Sequence, residues 1–467
     1  MKLKVGYFGI GRLTFDTRLA EKNFQLISKK INLKYKNSIG IEKIVYTETD
    51  VKNLIKFFKK NPCDYYIAIQ TTFTDAKFIV EFSKIFSEKF LLLAIQENRT
   101  GKRLRLNSIC GLNLASHALQ KNNFYPSLDI LDLKKDLQNQ IQIKLPRRKK
   151  IFLKSLKLNK KYNKQANEIY KKINNQNLGL IGKRPEGFYT CDFNKSELKE
   201  KLKVNIKNIS LSKLFDISKN LSNKELINTK NNTKKYISDL DKLNQKELNK
   251  SLSLYNGLKI IKSKNNLDNL AVRCWPETFT EYGCAICAPM AMMNEELVSS
   301  ACEADVLGSV SCNILNKISN SPALLVDIVD VRKSDQTAVF WHCGLAPKSM
   351  ADGKIKAGIH SNRLKPLLHE FALKAGDITI FRISKTRNKL IFFVQKAKIL
   401  KRKKSFSGTS GVVTLGSNTY SKFKRLFESG IEHHLGFTYG NFEKEIKLLA
   451  GKLNIPVYTL WTKLNMA

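Results

Sequence analysis

The run "KVGYFGIG" (residues 4–11) decides how the first part of the chain is read. It is short, almost wholly apolar and closed by glycine. That is the pattern of a strand buried on both faces, followed by a tight turn. Two similar runs are "YYIAIQ" (65–70) and "FLLLAIQ" (90–96). Between the first two, "VKNLIKFFKK" (51–60) places apolar residues at helical spacing. Buried strands alternating with amphipathic helices predict βαβ units in an open α/β sheet. The loops after the strands, "QTTFTDAK" (70–77) and "ENRTGKRLRLNSICGLN" (97–113), then sit at the carboxyl edge, where such sheets collect ligands. "GIGRLT" (9–14) lacks the third glycine of a dinucleotide fingerprint, so NAD is not expected.

Further along, the charged stretch "LPRRKKIFLKSLKLNKKYNK" (145–164) reads as a domain boundary, and "LGLIGKRPEGFYTCDF" (178–193) opens a second α/β unit. "NLAVRCW" (269–275) reads as one of its strands, and "ACEADVLGSVSCNILNKI" (301–318) as a strand end running into a helix. After "SPALLVDIVDV" (321–331) the pattern changes. "TAVFWHCG", "DITIFRIS", "KLIFFVQKAKIL" and "SGVVTLG" are β-rich segments separated by turns. The expected architecture is two Rossmann-like α/β domains, 1–155 and 156–322, followed by a β-rich antiparallel sheet or barrel, 323–467.

Composition narrows the function. A hydrophobic fraction of 42% supports sizeable cores, and no apolar run reaches the length of a membrane span. The start lacks a long apolar signal core, so a cytoplasmic protein is expected. Nine scattered cysteines read as free thiols, and the lone CxxC of Cys284 and Cys287 reads as part of a buried small-residue helix rather than a zinc site. The net charge of +42 invites a nucleic-acid reading. Its distribution argues against one. Residues 271–467 hold 27 Lys+Arg and 16 Asp+Glu, so most of the excess lies in the Lys/Asn/Ile-rich first 270 residues. Lysine outnumbers arginine there without an array of stacking aromatics, which describes a solvated surface.

Three stretches carry candidate chemistry. Glu277 follows Trp275–Pro276 at a strand tip, Glu303 and Asp305 sit at a strand-to-helix turn, and "GIEHHLGFTYG" (430–440) carries His433 and His434. An acidic residue at such a turn is commonly a helix N-cap. Two carboxylates with one imidazole also form an oxygen-rich donor set suited to Mn²⁺, Mg²⁺ or Co²⁺. His342, in "FWHCG", is a candidate for substrate contact or proton relay, or for a buried structural role. Arg103, Arg105 and Asn107 are candidates to reach a site, or to form a solvated hairpin. Lys183 and Arg184 read as an anion contact or a turn, His360 and His369 as surface residues, and His117 as a residue on a packed helix face.

"AVRCWPE" (271–277), "CEADVLG" (302–308) and "HHLGFTYG" (433–440), in this order, resemble segments of the L-fucose isomerase and L-arabinose isomerase superfamily. The likeness is to its shorter fucose isomerase-like branch, which includes sulfoquinovose isomerases. "TTFTDAKFIVEFSK", "RLRLNSICGLN", "GLIGKRPEGFY", "VDIVDV", "FWHCGLAP" and "KAGDITIFRIS" extend it over most of the chain. The resemblance implies a metal-dependent aldose–ketose isomerase acting through an enediol on a deoxy sugar, a pentose or a sulfonated hexose. It implies Glu277, Asp305 and His434 as ligands of Mn²⁺ or another divalent ion, with Glu277 and Asp305 as the catalytic carboxylates. It also implies a sugar as partner, with His342, His433, Arg103 and Asn107 as candidate contacts, and a homo-oligomer, trimer or hexamer. Two departures stand out. The family's "END" turn reads "EAD" here, and the Asn before its metal histidine is His433. A non-catalytic sugar- or metal-binding protein of the same fold is the alternative, ahead of a nucleic-acid binder.

Overall fold

The computed structural model describes residues 3–86, 89–144, 148 and 151–460. Part of the charged stretch read as a boundary, 145–147 and 149–150, lies outside the described residues. The architecture is mixed α/β, with two parallel sheets and one large mixed sheet.

Strands β1 (Val5–Ile10), β2 (Ser38–Gly40), β3 (Tyr65–Gln70), β4 (Phe90–Ile95) and β5 (Ser127–Leu131) form the first sheet, all parallel, in the order 2-1-3-4-5. Every residue of β1, β3 and β4 is buried, because alternate side chains enter different cores. Val5, Tyr7, Ile67 and Leu93 pack with Phe24 and Ile27 of the helix Thr17–Lys34. Phe8, Tyr66 and Leu92 pack with Phe58, Phe82 and Leu112 on the other face. Two-sided burial explains why these strands read as unbroken apolar runs. The strand order reverses between β1 and β3, and the loops leaving those two strands flank a crevice at the carboxyl edge.

β6 (Gln176–Ile181), β7 (Val204–Ile209), β9 (Asn269–Val272) and β10 (Ser300–Ala301) make the second parallel sheet, ordered 10-9-6-7. The intervening β8 (Ile237–Ser238) leaves it and joins the edge of the third sheet.

The third sheet holds β11 (Leu324–Arg332), β12 (Thr337–His342), β13 (Ile355–Ile359), β14 (Pro366–Ala372), β15 (Gly376–Ser384), β16 (Ile391–Leu400), β17 (Thr409–Thr414), β18 (His434–Tyr439) and β19 (Val457–Tyr458). Six of its strands run antiparallel in the order 16-15-18-11-12-17, and β16 also pairs with β17, so the six close on themselves. The register sets Asp327 of β11 opposite His434 of β18 on one side and opposite Trp341 of β12 on the other.

Candidate active site

The ends of all three sheets meet at one cavity. Arg12 and Phe73 enter from the loops after β1 and β3, Cys274 and Trp275 follow β9, and Cys302 and Glu303 follow β10. The third sheet contributes Asp327, His342 and His434. A larger cavity, about 730 Å³, opens between the helices Asn223–Lys234 and Gln245–Lys264, away from these groups. Buried carboxylates and imidazoles converge at the smaller one.

Glu303 is brought in by an unusual turn. Both Glu303 and Ala304 adopt left-handed backbone, at φ 58° and 54°, a conformation L-residues with a side chain seldom take. The turn reverses the chain between β10 and the helix Val306–Ser319 and leaves Glu303 only 8% exposed. Its Oε1 accepts from Trp275 Nε1 at 3.2 Å, and its Oε2 lies 3.1 Å from His433 Nε2 and 3.7 Å from His434 Nε2. Burial pushes the Glu303 carboxyl up, but the two histidines and Trp275 outweigh it and hold the group below its ordinary value.

Asp305 caps the next helix and at the same time orients His434. Oδ1 accepts from Gly308 N at 2.9 Å and from Arg382 Nη2 at 3.0 Å. Oδ2 accepts from Arg382 Nη1 at 2.6 Å and from His434 Nδ1 at 3.0 Å. Arg382 is fully buried, and a Cβ on Gly308 would lie 2.6 Å from its Nη1, so the close pair needs glycine there. With Nδ1 donating to Asp305, the lone pair of His434 sits on Nε2. That atom is 3.6 Å from Asp327 Oδ1, a buried oxygen with no hydrogen-bond partner among the described residues. Burial raises the Asp327 carboxyl above its ordinary value despite the nearby histidines. His342 completes the wall: Cys343 N donates to its Nδ1, leaving Nε2 to donate to Cys302 Sγ at 2.9 Å.

The positions expected from the sequence divide accordingly. Asp305, His342, His433 and His434 meet at the site, Asp305 with both oxygens already engaged. Asn107 lines the cavity with an unpartnered Oδ1. Arg103 reaches it indirectly, donating through Nε to Asn362, itself a lining residue. Glu277 is not among the lining residues. Its oxygens are each 2.6 Å from the Arg273 guanidinium, one turn earlier, which offsets burial and lowers its pKa. Glu303 and Asp327 therefore stand where the sequence reading puts Glu277. Arg105 pairs with Asp16, and Arg184 with Asp192. His360 and His369 are not the surface residues the sequence suggests. His360 lines the cavity against Phe279, while His369 is 1% exposed with Nδ1 against Ala346 O. His117 packs as expected, its Nδ1 2.8 Å from Gly430 O.

The donors suit a metal. Glu303, His433 and His434 each offer one ligand atom, all within 4.8 Å of one another and all buried. Unpartnered Asp327 Oδ1 and His433 Nδ1 mark a polar centre whose hydrogen bonding is incomplete among the described residues. One carboxylate and two imidazoles form a borderline donor set appropriate to Mn²⁺, Co²⁺ or Zn²⁺. Among the described residues no helix is long and apolar enough to cross a membrane.

No family model matches the chain. A sulfoquinovose isomerase of Priestia megaterium is 29% identical over 96% of this chain and 97% of its own length. The sulfoquinovose isomerase of Alkalicoccus urumqiensis is 28% identical over 97% of this chain and 99% of its own. That of a Clostridium species is 26% identical over 97% and 98%. Likeness to curated isomerases along nearly the whole chain supports an aldose–ketose isomerase, and the chain is an enzyme of that class.

Proposed function

We propose that the chain converts a sulfonated aldohexose of the sulfoquinovose type into the corresponding ketose, with a divalent metal and an enediol between them. The observation that carries the reading is the buried group of Glu303, His433 and His434 beside the unpartnered Asp327 Oδ1. The names of the full-length relatives supply the sugar.

Glu303, His433 and His434 would hold the ion, which when bound supplies Lewis-acid stabilisation of the oxygens on C1 and C2. Asp305 acts through His434: its bond to Nδ1 fixes the tautomer and aims Nε2 into the cavity. Asp327 Oδ1 takes the proton from C2 of the aldose and returns it to C1, while the hydroxyl proton of O2 passes to O1, so that the carbonyl moves from C1 to C2. Burial raises its pKa above the ordinary carboxylate value, which makes it a stronger base than an exposed aspartate. Asn107 Oδ1 is placed to accept from a sugar hydroxyl, while His342, whose ring nitrogens are engaged by Cys343 N and Cys302 Sγ, shapes the wall beside it. Trp275, Phe73 and Phe279 line the same space and keep bulk water from the carboxylates.

The test is to incubate the full chain with Mn²⁺ and sulfoquinovose in deuterated water and follow ketose formation by NMR. Ketose should form, stop on chelation, and carry solvent deuterium at C1. Absence of ketose with any divalent metal would overturn the reading. Full retention of the original hydrogen would replace the enediol by a hydride shift.

A further inference from the structure

The cavity's lining carries two chemically opposite sets of groups, the acidic Glu303 and Asp327 and the basic Arg12 and Arg363, and among the described residues no ion pair joins the two sets. Trp275 ties them together. Its indole N–H donates to Glu303, while the guanidinium carbons of Arg12 and Arg363 lie 5.0 and 5.8 Å from its ring centre. Trp275 therefore touches both the carboxylate side and the guanidinium groups. The two arginines are not equivalent. Arg12 is anchored, its Nη2 donating to Asp75 at 2.7 Å. Arg363 rests against Trp275 and Phe279 and has no carboxylate partner among the described residues. It sits in the turn between β13 and β14, next to Asn362, which Arg103 holds. A half-buried guanidinium with five donors and no acceptor, facing the substrate space, is a seat for a tetrahedral oxyanion.

We infer that Arg363, backed by Arg12, binds an anionic sulfonate or phosphate group at the far end of the sugar, and that this contact selects the substrate. The inference rests on the sugar-isomerase reading for the orientation of the substrate. The carbonyl end faces Glu303 and Asp327, and the acidic end faces the guanidinium groups. The reverse orientation would put an anion against two buried carboxylates, which like-charge repulsion forbids.

The experiment compares the Mn²⁺-loaded full chain with Arg363→Met, which keeps the apolar stem over Trp275 and removes the charge. Turnover is measured with sulfoquinovose and with quinovose, the same sugar without its sulfonate. The variant should raise KM for sulfoquinovose roughly 10- to 100-fold, leave kcat within about threefold, and leave kcat/KM for quinovose within about threefold. A second readout needs no turnover: calorimetric binding of 6-deoxy-6-sulfoglucitol, glucitol 6-phosphate and 6-deoxyglucitol, which cannot isomerise. Loss in Arg363→Met of binding to either anionic alditol, with the neutral one unchanged, supports the clamp, and the tighter of the two names the source of the oxyanion. Equal losses on charged and neutral sugars, or no loss on either, would overturn it while leaving the isomerase reading intact. Selective anion binding by a wild-type chain that turns over neither sugar would overturn the isomerase reading and leave the clamp standing.

Discussion

Glu277 and Glu303 follow neighbouring parallel strands of one sheet, β9 and β10, yet their environments are opposite. Glu277 finds a cation one turn away: Arg273 takes both oxygens, and the pair stays about a quarter exposed. Glu303 pairs with no Arg or Lys among the described residues. It is turned inward by left-handed backbone and meets Trp275 and two imidazoles. A carboxylate's chemistry is thus set by what neutralises it. A guanidinium saturates the acid, whereas imidazoles with a free lone pair leave it able to share a cation.

The largest effect that could undo this contrast is on turnover. Glu303→Gln should lower kcat/KM by roughly a thousandfold or more, because in the proposed mechanism it removes charge at the centre where the oxyanion would develop. Mn²⁺ affinity, measured by titration, should fall with it. Wild-type turnover in this variant would remove Glu303 from the site.

Next come the two arginine–carboxylate pairs. Arg382→Met leaves the Asp305 charge buried without its partner and should cost about 3–5 kcal/mol in denaturant unfolding. Arg273→Met breaks the partly exposed Glu277 pair and should cost no more than about 1 kcal/mol. Equal costs would mean that burial does not separate the two.

The same contrast holds among the histidines. Burial opposes the charged form of His433, but Glu303 and Asp327 outweigh it and raise its pKa. His369 is buried with no carboxylate partner among the described residues, and burial pushes it down from 6.5 to about 4. The folded state therefore demands a neutral His369. Its contribution is complete above pH 6.5 and is lost as pH falls toward 4, where the unfolded chain takes the proton and the folded chain does not. The loss should approach about 3 kcal/mol. His369→Asn, which keeps a donor toward Ala346 O, should flatten the dependence of urea midpoints on pH between about 7 and 4.5. An unchanged pH slope would show that His369 titrates normally.

The smallest effect is expected at Glu277. Glu277→Gln should change kcat/KM less than about threefold. A large loss would restore Glu277 to the chemistry and erase its difference from Glu303.

The parallel strands are legible in the sequence because two-sided burial writes itself as an apolar run, as in "YYIAIQ" and "FLLLAIQ". His434 and His342 are legible as histidines embedded in such runs. Glu303 is harder to rank, since no residue type in "CEAD" announces two consecutive left-handed conformations. Asp327 leaves a subtler signal: a carboxylate inside "LLVDIVDV" must be buried, and a buried acid needs a reason. Arg382 leaves the same kind of signal inside "DITIFRIS", and it is the partner that makes Asp305 a positioning residue. Pairings between distant strands are set by register, which local sequence does not encode.

The closed ring of six strands bears on how such an enzyme can be altered. Asp327, His342 and His434 are carried by three adjoining staves of that ring, where backbone pairing fixes each against the next. Arg12 and Arg363 are carried by loops outside it. On the proposed reading, reaction and preference are thus housed in separate materials, one rigid and one replaceable. Redesign of the turn between β13 and β14 should retarget the enzyme to sugars with a different tail without disturbing proton transfer, whereas the staves offer no such latitude.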